Sequence, residues 1–204
     1  MAELVIESNI VALDGEIASG FEFSHEIYGE RFYLFDLLVY RLSDQFDLIP
    51  VMVSERLIDV KQDFVGTRIK VNGQFRSYNR HEGMKNKLQL SVFARDIENI
   101  DTEDPDQNSA RFEGFICKDP IYRKTPLGRE IADVLLAVNR PYGKSDYIPC
   151  ICWGRNARFA STLTVGTHIR AFGRIQSREY TKKTEDGEVK KTAYEVSISK
   201  IETM

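Results

Sequence analysis

The chain carries the same arrangement of residues twice, and this internal repeat limits the folds open to it. Four segments of the first half return in the same order in the second half, shifted by 99 to 104 positions. The matched ranges are 13–17 and 112–116, 47–56 and 146–155, 65–77 and 165–177, and 90–98 and 194–202. A nearly constant shift through four segments indicates a tandem duplication of one small domain.

The stretch between the two copies has the composition of a linker. Residues 99–109 are acidic, contain Pro105 and hold almost nothing apolar after Ile100. Such a segment is typical of a solvated connection between two packed units, and its carboxylates are expected to face water. We therefore predict one domain at residues 1–104 and a second at residues 105–204.

Each copy is predicted to be a small β-barrel. Short β-rich runs precede a segment compatible with about two helical turns, at 156–163 in the second copy, and a glycine and a long alternating strand follow. Such an order describes the OB-fold. The predicted fold class is all-β, with two tandem OB-folds, each a five-stranded Greek-key barrel with one short helix. Glycines are expected at sharp bends and hairpin tips, at Gly15, Gly73, Gly114, Gly173 and at Gly83 or Gly187.

The long strand of the second copy has two different faces. A period of two places Ile169, Ala171, Gly173 and Ile175 on one face, and His168, Arg170, Phe172, Arg174, Gln176, Arg178 and Tyr180 on the other. The preceding strand separates Tyr147 and Trp153 from Ile148, Cys150 and Cys152 in the same way. Rings and guanidinium groups on one surface suit single-stranded nucleic acid. The alternatives are a solvated charged face and a tryptophan that fills the barrel edge.

Charge is divided unevenly between the two copies. The formal net charge of −3 argues against a nucleic-acid partner when it is taken alone. Residues 1–105 hold 11 Lys and Arg against 19 Asp and Glu, a charge of −8, whereas residues 106–204 hold 17 against 12, a charge of +5. Any phosphate is therefore expected to bind to the second copy.

No combination of residues predicts catalysis or a metal site. The three cysteines, Cys117, Cys150 and Cys152, favour reduced thiols, and no second cysteine pair lies at zinc spacing. His25, His81 and His168 are scattered, and no phosphate-binding P-loop motif is present. We expect neither an enzyme nor a cofactor. Because the chain begins without a basic and apolar leader and has no long apolar run, we expect a cytoplasmic, nucleoid-associated protein without membrane contact.

Five segments of the second copy carry a resemblance to a known family. They are Gly-Phe-Ile-Cys-Lys-Asp-Pro at 114–120, Arg-Lys-Thr-Pro-Leu-Gly at 123–128, Leu-Ala-Val-Asn-Arg at 136–140, Tyr-Ile-Pro-Cys-Ile-Cys-Trp-Gly at 147–154 and Gly-Arg-Ile-Gln-Ser-Arg-Glu-Tyr at 173–180. In this order they make the second copy similar to the bacterial single-stranded-DNA-binding protein family, an OB-fold family. The first copy resembles the family more faintly, mainly at framework positions in 9–15, at Pro50 and in 65–73.

The resemblance implies a set of DNA-binding residues in the second copy. The family's base-stacking aromatic positions fall on Tyr142, Tyr147, Trp153 and Tyr180. Basic residues around them, which would contact phosphates, are Arg123, Lys124, Arg140, Lys144, Arg155, Arg170, Arg174 and Arg178. In the first copy the stacking positions hold Ser43, Leu48, Ser54 and, at an uncertain loop alignment, Arg80. The resemblance therefore implies one DNA-binding barrel and one diverged barrel that assembles or assists.

The chain departs from the family's pattern in two respects. Members commonly continue into a flexible tail with an acidic tip, whereas this sequence stops at residues 201–204 at the end of a strand, so tail-mediated recruitment of replication proteins is not expected. Most members have one barrel and form tetramers, so two barrels imply a homodimer with four OB-folds. The expected function is binding of single-stranded DNA with little sequence preference in replication, recombination or repair. The alternative is a primosomal or complex-assembly protein that acts through protein contacts.

Overall fold

The computed structural model describes residues 7–82, 85–101 and 105–204, with the side chains of 79–82 and 85–87 left out of the description. Within these ranges the chain forms twelve strands and one α-helix. The strands are β1 (Asn9–Ile17), β2 (Glu22–Ile27), β3 (Glu30–Tyr40), β4 (Phe46–Ser54), β5 (Arg68–Glu82), β6 (Lys85–Asn99), β7 (Asn108–Ile116), β8 (Ile121–Lys124), β9 (Glu130–Arg140), β10 (Lys144–Trp153), β11 (His168–Thr184) and β12 (Gly187–Thr203). The α-helix is α1 (Arg155–Ala160), and a 3-10 turn covers Pro141–Gly143.

The strands close into two barrels with the same connectivity. In the first barrel β1 pairs with β3, β3 with β4, β4 with β6, β6 with β5 and β5 again with β1. The second barrel repeats this ring with β7, β9, β10, β12 and β11. The β4–β6 and β10–β12 pairs are parallel and the other pairs are antiparallel. The predicted all-β fold with two tandem OB-folds is confirmed.

One detail of the predicted architecture, the helix of the first copy, is wrong. The five-stranded ring of each copy is as predicted, and one further strand, β2 or β8, pairs with β3 or β9 outside the ring. The short helix is present in the second copy, whereas residues 55–62 of the first copy form turns. There the Asp59 carboxylate accepts a hydrogen bond from the backbone N–H of Lys61, which competes with helical bonding. Of the predicted hairpin tips, Gly187 closes the β11–β12 turn opposite Thr184, and Gly83 lies outside the described residues.

The two barrels join through an antiparallel pair of equivalent strands. Strand β1 pairs with β7 so that Val11 faces Ala110, and the repeat shift of 99 makes these two residues equivalent. The interior is continuous across this junction, where the rings of Phe75 and Phe112 lie 6.5 Å apart, centroid to centroid. The two copies are therefore related by an approximate two-fold axis between Val11 and Ala110.

One carboxylate of the linker, that of Asp106, is buried. Asp106 accepts a hydrogen bond of 2.8 Å from the backbone N–H of Tyr40 and forms an ion pair of 2.7 Å with Arg68. Its side chain is only 2% exposed. The expectation that the linker carboxylates face water is therefore wrong for Asp106, which fastens the linker to the first barrel.

The strand glycines lie where two strands approach too closely for a side chain. A Cβ atom on Gly73 or Gly173 would lie 2.1 Å or 2.2 Å from a carbonyl oxygen of the neighbouring strand. The pairing register shifts at both positions, as expected for sharply coiled barrel strands. Gly15 and Gly114 have similar close contacts with carbonyl oxygens. Close approach of a neighbouring carbonyl group thus accounts for all four glycines, and the register shifts support the predicted bend at Gly73 and Gly173.

Replacement of Gly173 by alanine is expected to lower the free energy of unfolding by about 1–3 kcal/mol, the usual cost of overpacking. The added methyl group would collide with the Ser197 carbonyl oxygen, which belongs to the backbone and has little freedom to move. Gly20→Ala is the matched control, because a Cβ atom there meets nothing within 4 Å. Urea denaturation measures both variants, and an equal loss at Gly20 would contradict the steric explanation.

Candidate nucleic-acid interface

The outer face of the second barrel carries two of the proposed stacking residues on β10. Tyr147 and Trp153 are 43% and 38% exposed, while the alternating Ile148, Cys150 and Cys152 are buried. The burial follows the predicted period of two except at Ile151, which has the parity of the two rings and is buried. Because the core is filled from the opposite face, the two rings are left partly open to a ligand on the outside of the barrel.

Strand register places a guanidinium group in the same row as the tryptophan. Trp153 pairs with Ile131 on β9, and Ile131 pairs in turn with Arg123 on β8. These three side chains therefore lie side by side across three strands on one face. Tyr147 pairs with Ala137, whose small side chain leaves the tyrosine ring uncovered.

The other two aromatic residues lie at one end of the barrel. Tyr142 belongs to the turn before β10, is fully exposed and has a left-handed φ of 64°, a conformation uncommon outside glycine. Tyr180 is 40% exposed and pairs with Lys191 in the β11–β12 hairpin. Because β10 and β12 run parallel, the turn before β10 and this hairpin lie at the same end.

The β11–β12 hairpin adds lysines that the sequence interpretation did not include. Lys182 lies on the same side of β11 as Tyr180, and Lys191 is the cross-strand partner of Tyr180. Lys182 is exposed and Lys191 is partly exposed, and Lys183 and Lys190 on the opposite side are exposed. The signal was present in the sequence as a Lys-Lys pair on each arm of the predicted hairpin.

Several of the proposed phosphate ligands are paired with carboxylates in the free protein. The distances are 3.0 Å from Arg123 to Asp133, 3.0 Å from Arg170 to Glu113 and 3.6 Å from Arg178 to Glu195. A phosphate would have to replace these carboxylates. Lys124, Lys144 and Arg155 are exposed and form no ion pair with a carboxylate within the described ranges, so they are the most accessible cations of the set.

Arg140 and Arg174 lie at the junction between the barrels. Arg140 forms an ion pair of 3.1 Å with Asp146, and Arg174 approaches Asp47 of the first barrel to 3.5 Å. Arg41 binds the same Asp47 through hydrogen bonds of 2.6 Å and 2.8 Å. Arg41 of the first barrel therefore lies beside the proposed phosphate ligands of the second barrel. The sequence contained a signal for this, since Arg and Asp recur six residues apart in both copies.

The two junction carboxylates accept hydrogen bonds reciprocally across the barrels. The Ser77 backbone N–H donates to Asp146 at 2.8 Å, and the Ser177 backbone N–H donates to Asp47 at 2.8 Å. Burial opposes ionisation of Asp47, but the bonds from Arg41 and Ser177 outweigh it and lower the pKa of Asp47. For Asp146 burial prevails and raises its pKa, because Arg140 makes the weaker contact.

The cysteines are core residues. Burial raises the pKa of Cys150 well above its usual value and raises the pKa of Cys152 to about 12, so both remain neutral thiols. Within the part of the chain that the structure describes, no three His, Cys, Asp or Glu side chains cluster in a way that could hold a metal ion. No helix there is long and apolar enough to cross a membrane.

The equivalent positions of the first barrel present no aromatic ring. Ser43 is exposed, Leu48 is 37% exposed, and Ser54 is 7% exposed and donates a hydrogen bond to Glu30. The side chain of Arg80 is outside the description. The two barrels thus share a framework but differ at the aligned outer-face positions.

Both halves of the molecule are OB-fold barrels, and the second one has a partly exposed aromatic and cationic outer face. Residues 107–204 match the model of the single-strand binding protein family. The second copy is therefore similar to this family over nearly its whole length.

Among curated relatives, the match to the single-stranded DNA-binding protein of Oceanobacillus iheyensis is 33% identical over 92 residues and covers 42% of this chain and 54% of the relative. The match to the single-stranded DNA-binding protein of Halalkalibacterium halodurans is 38% identical over 74 residues and covers 33% of this chain and 44% of the relative. The chain thus spans about half the length of these relatives.

A solved structure extends the likeness to both barrels. The wild-type single-stranded DNA binding protein from Thermus aquaticus superposes with a TM-score of 0.76 at 19% identity, over 96% of this chain and 92% of that chain. At this identity the likeness shows the fold alone, and the fold includes the tandem arrangement of the barrels.

Proposed function

We propose that the protein binds single-stranded DNA with little sequence preference, mainly on the second barrel. The observation that carries the proposal is the pair of half-exposed rings, Tyr147 and Trp153, on an outer face whose strands bury the opposite side chains. Bases would stack on these rings and on Tyr142 and Tyr180 at the adjoining end of the barrel. Base stacking tolerates sequence variation, because every base has an aromatic face.

The phosphates would bind to the cations around these rings. Lys144 and Arg155 are open to them directly, and the hairpin lysines Lys182 and Lys191 extend the same positive surface. Arg123, Arg170 and Arg178 would exchange their carboxylate partners for phosphate, while Arg140 and Arg174 would contribute positive charge from the junction. Binding then releases counterions, so affinity falls as salt rises.

Titration with oligo-dT is expected to quench the fluorescence of Trp153, the single tryptophan of the chain. Stacking of a base on the half-exposed indole changes its surroundings directly. Duplex DNA of equal length is the control and should compete poorly, because its bases are already stacked. The apparent affinity should fall steeply between low and moderate salt. Absence of both quenching and binding at low salt would contradict the proposal and leave the assembly function.

The cellular role we propose is protection of transient single strands in replication, recombination or repair, by a cytoplasmic homodimer with four barrels. A primosomal or assembly function is the second candidate. It is favoured by exposed apolar side chains at one end of the first barrel, where Tyr40, Leu42 and Phe46 are 50%, 97% and 51% exposed. Such side chains on a diverged barrel are typical of a surface that contacts protein.

A further inference from the structure

The outer face of the first barrel contains a cavity of about 760 Å³. It is lined by residues of strands β2 to β6, including Met52, the equivalent of Ile151 on the second barrel. The cavity therefore occupies the face that corresponds to the proposed DNA-binding face of the second barrel. Its volume lies within the range of about 300–1,000 Å³ that is usual for small-molecule sites.

Three phenylalanine rings line this cavity from strands that do not correspond to those of the second barrel's stacking set. Phe23 comes from β2, Phe32 from β3 and Phe93 from β6. His25 stacks on Phe32 with ring centroids 5.0 Å apart and an interplanar angle of 9°. Phe23 remains 60% exposed. The first barrel has therefore lost rings at the aligned positions, but it presents others on the same face.

Two guanidinium groups accompany the rings. The Arg76 guanidinium lies over the ring of Phe93, 3.9 Å from its centroid, and Arg140 reaches the cavity from the second barrel. Arg76 donates hydrogen bonds to the neutral amide oxygen of Gln74, and Glu22 supplies the carboxylate among the lining residues. Burial and, to a smaller extent, repulsion from Arg140 lower the pKa of Arg76 to about 10. An anion beside the two arginines would relieve this repulsion.

We propose that this cavity binds a nucleotide unit of single-stranded DNA, with its base against Phe23 and Phe93 and its phosphate between Arg76 and Arg140. Flat rings next to a pair of guanidinium groups match a base joined to a phosphate. The inference extends the proposed function to the first barrel. A strand bound to the second barrel would continue across the junction, where Arg140 pairs with Asp146 of its own barrel and also lines the cavity of the first.

The test moves the single tryptophan into the cavity. In a Trp153→Phe background, Phe23→Trp places an indole at a site that is already exposed and aromatic, so folding should be preserved. Oligo-dT is expected to quench this indole over the same concentration range in which labelled oligo-dT shows binding by anisotropy. Tyr28→Trp in the same background is the control, because Tyr28 lies at the β2–β3 turn, is fully exposed and does not line the cavity.

A second measurement uses the natural tryptophan. Phe23→Ala is expected to weaken oligo-dT binding about fivefold or more, the loss that accompanies one stacked base. Arg76→Gln is expected to weaken binding by a similar factor, because it removes a charged phosphate contact. The inference would be overturned if oligo-dT does not quench the Phe23→Trp indole and if the affinity of Phe23→Ala and Arg76→Gln is unchanged. In that case, quenching of Trp153 in the wild type would still support the second-barrel site. Quenching of the Phe23→Trp indole with a silent Trp153 would support the cavity and reject the second-barrel site.

Discussion

Replacement of Tyr147 and Trp153 together by alanine is expected to weaken binding of labelled oligo-dT by at least about 30-fold, because each stacked base contributes about 1–3 kcal/mol. The two rings lie on one face of β10 and are 43% and 38% exposed, so their loss removes the stacking surface and leaves the packed core in place. Fluorescence anisotropy of the labelled oligonucleotide measures the affinity without the tryptophan signal.

The chain provides its own matched control for this experiment. Leu48 occupies the position of Tyr147 in the first barrel, has a similar exposure of 37% and does not line the first-barrel cavity. Leu48→Ala should therefore leave the affinity almost unchanged. Equal losses of affinity in Leu48→Ala and Tyr147→Ala would show that the aligned positions of both barrels bind DNA. They would contradict the proposal that these positions bind mainly in the second barrel.

Replacement of Asp47 by asparagine is expected to lower the free energy of unfolding by about 3–5 kcal/mol, the usual cost of breaking a buried ion pair. Asp47 is fully buried, accepts two hydrogen bonds from Arg41 and holds the Ser177 backbone of the other barrel. Its removal leaves the Arg41 guanidinium without a counterion at the junction. Urea denaturation at neutral pH measures the loss.

The equivalent substitution Asp146→Asn should cost clearly less. Burial raises the pKa of Asp146, so the fold disfavours its charged form, and a neutral amide resembles the protonated carboxyl. The pKa of Asp47 is lowered in the fold, so its contribution is present above the ordinary value of 3.8 and is lost as pH falls through the folded pKa. The difference between wild type and Asp47→Asn should therefore narrow in acid. Equal costs for the two substitutions, or a cost at Asp47 that does not change with pH, would contradict this account.

Much of the barrel framework could be predicted, because it depends on local strand geometry and on residues that recur in both copies. Strand geometry sends neighbouring side chains to opposite faces whatever surrounds the strand, so the burial of Ile169, Ala171 and Ile175 followed from the sequence pattern. Gly73 and Gly173 were recognisable because both copies keep glycine where strands cross closely. The helix predicted for the first copy was wrong because Asp59 binds the backbone of its own turn, a choice that hydrophobic period does not reveal.

The candidate site was predicted less completely than the fold. Residue type and parity were enough to select Tyr147 and Trp153, but they could not show which arginines already have partners. Arg123 and Arg170 lie next to carboxylates on adjacent strands, and this pairing depends on strand register. The first-barrel cavity was missed because its phenylalanine rings come from β2, β3 and β6 and align with no stacking position of the second copy.

The sequence by itself determined the duplication, the alternation of side chains along the strands and the unequal charge of the two copies. These properties follow from residue types and their spacing along the chain. Only the tertiary structure decided which residues of the two copies contact each other. Pairing of β1 with β7 brings Ser177 to Asp47, 130 positions apart in the chain, and carries Arg140 to the cavity of the other barrel. No local period encodes such contacts, since they arise when two closed barrels bury their equivalent strands against each other.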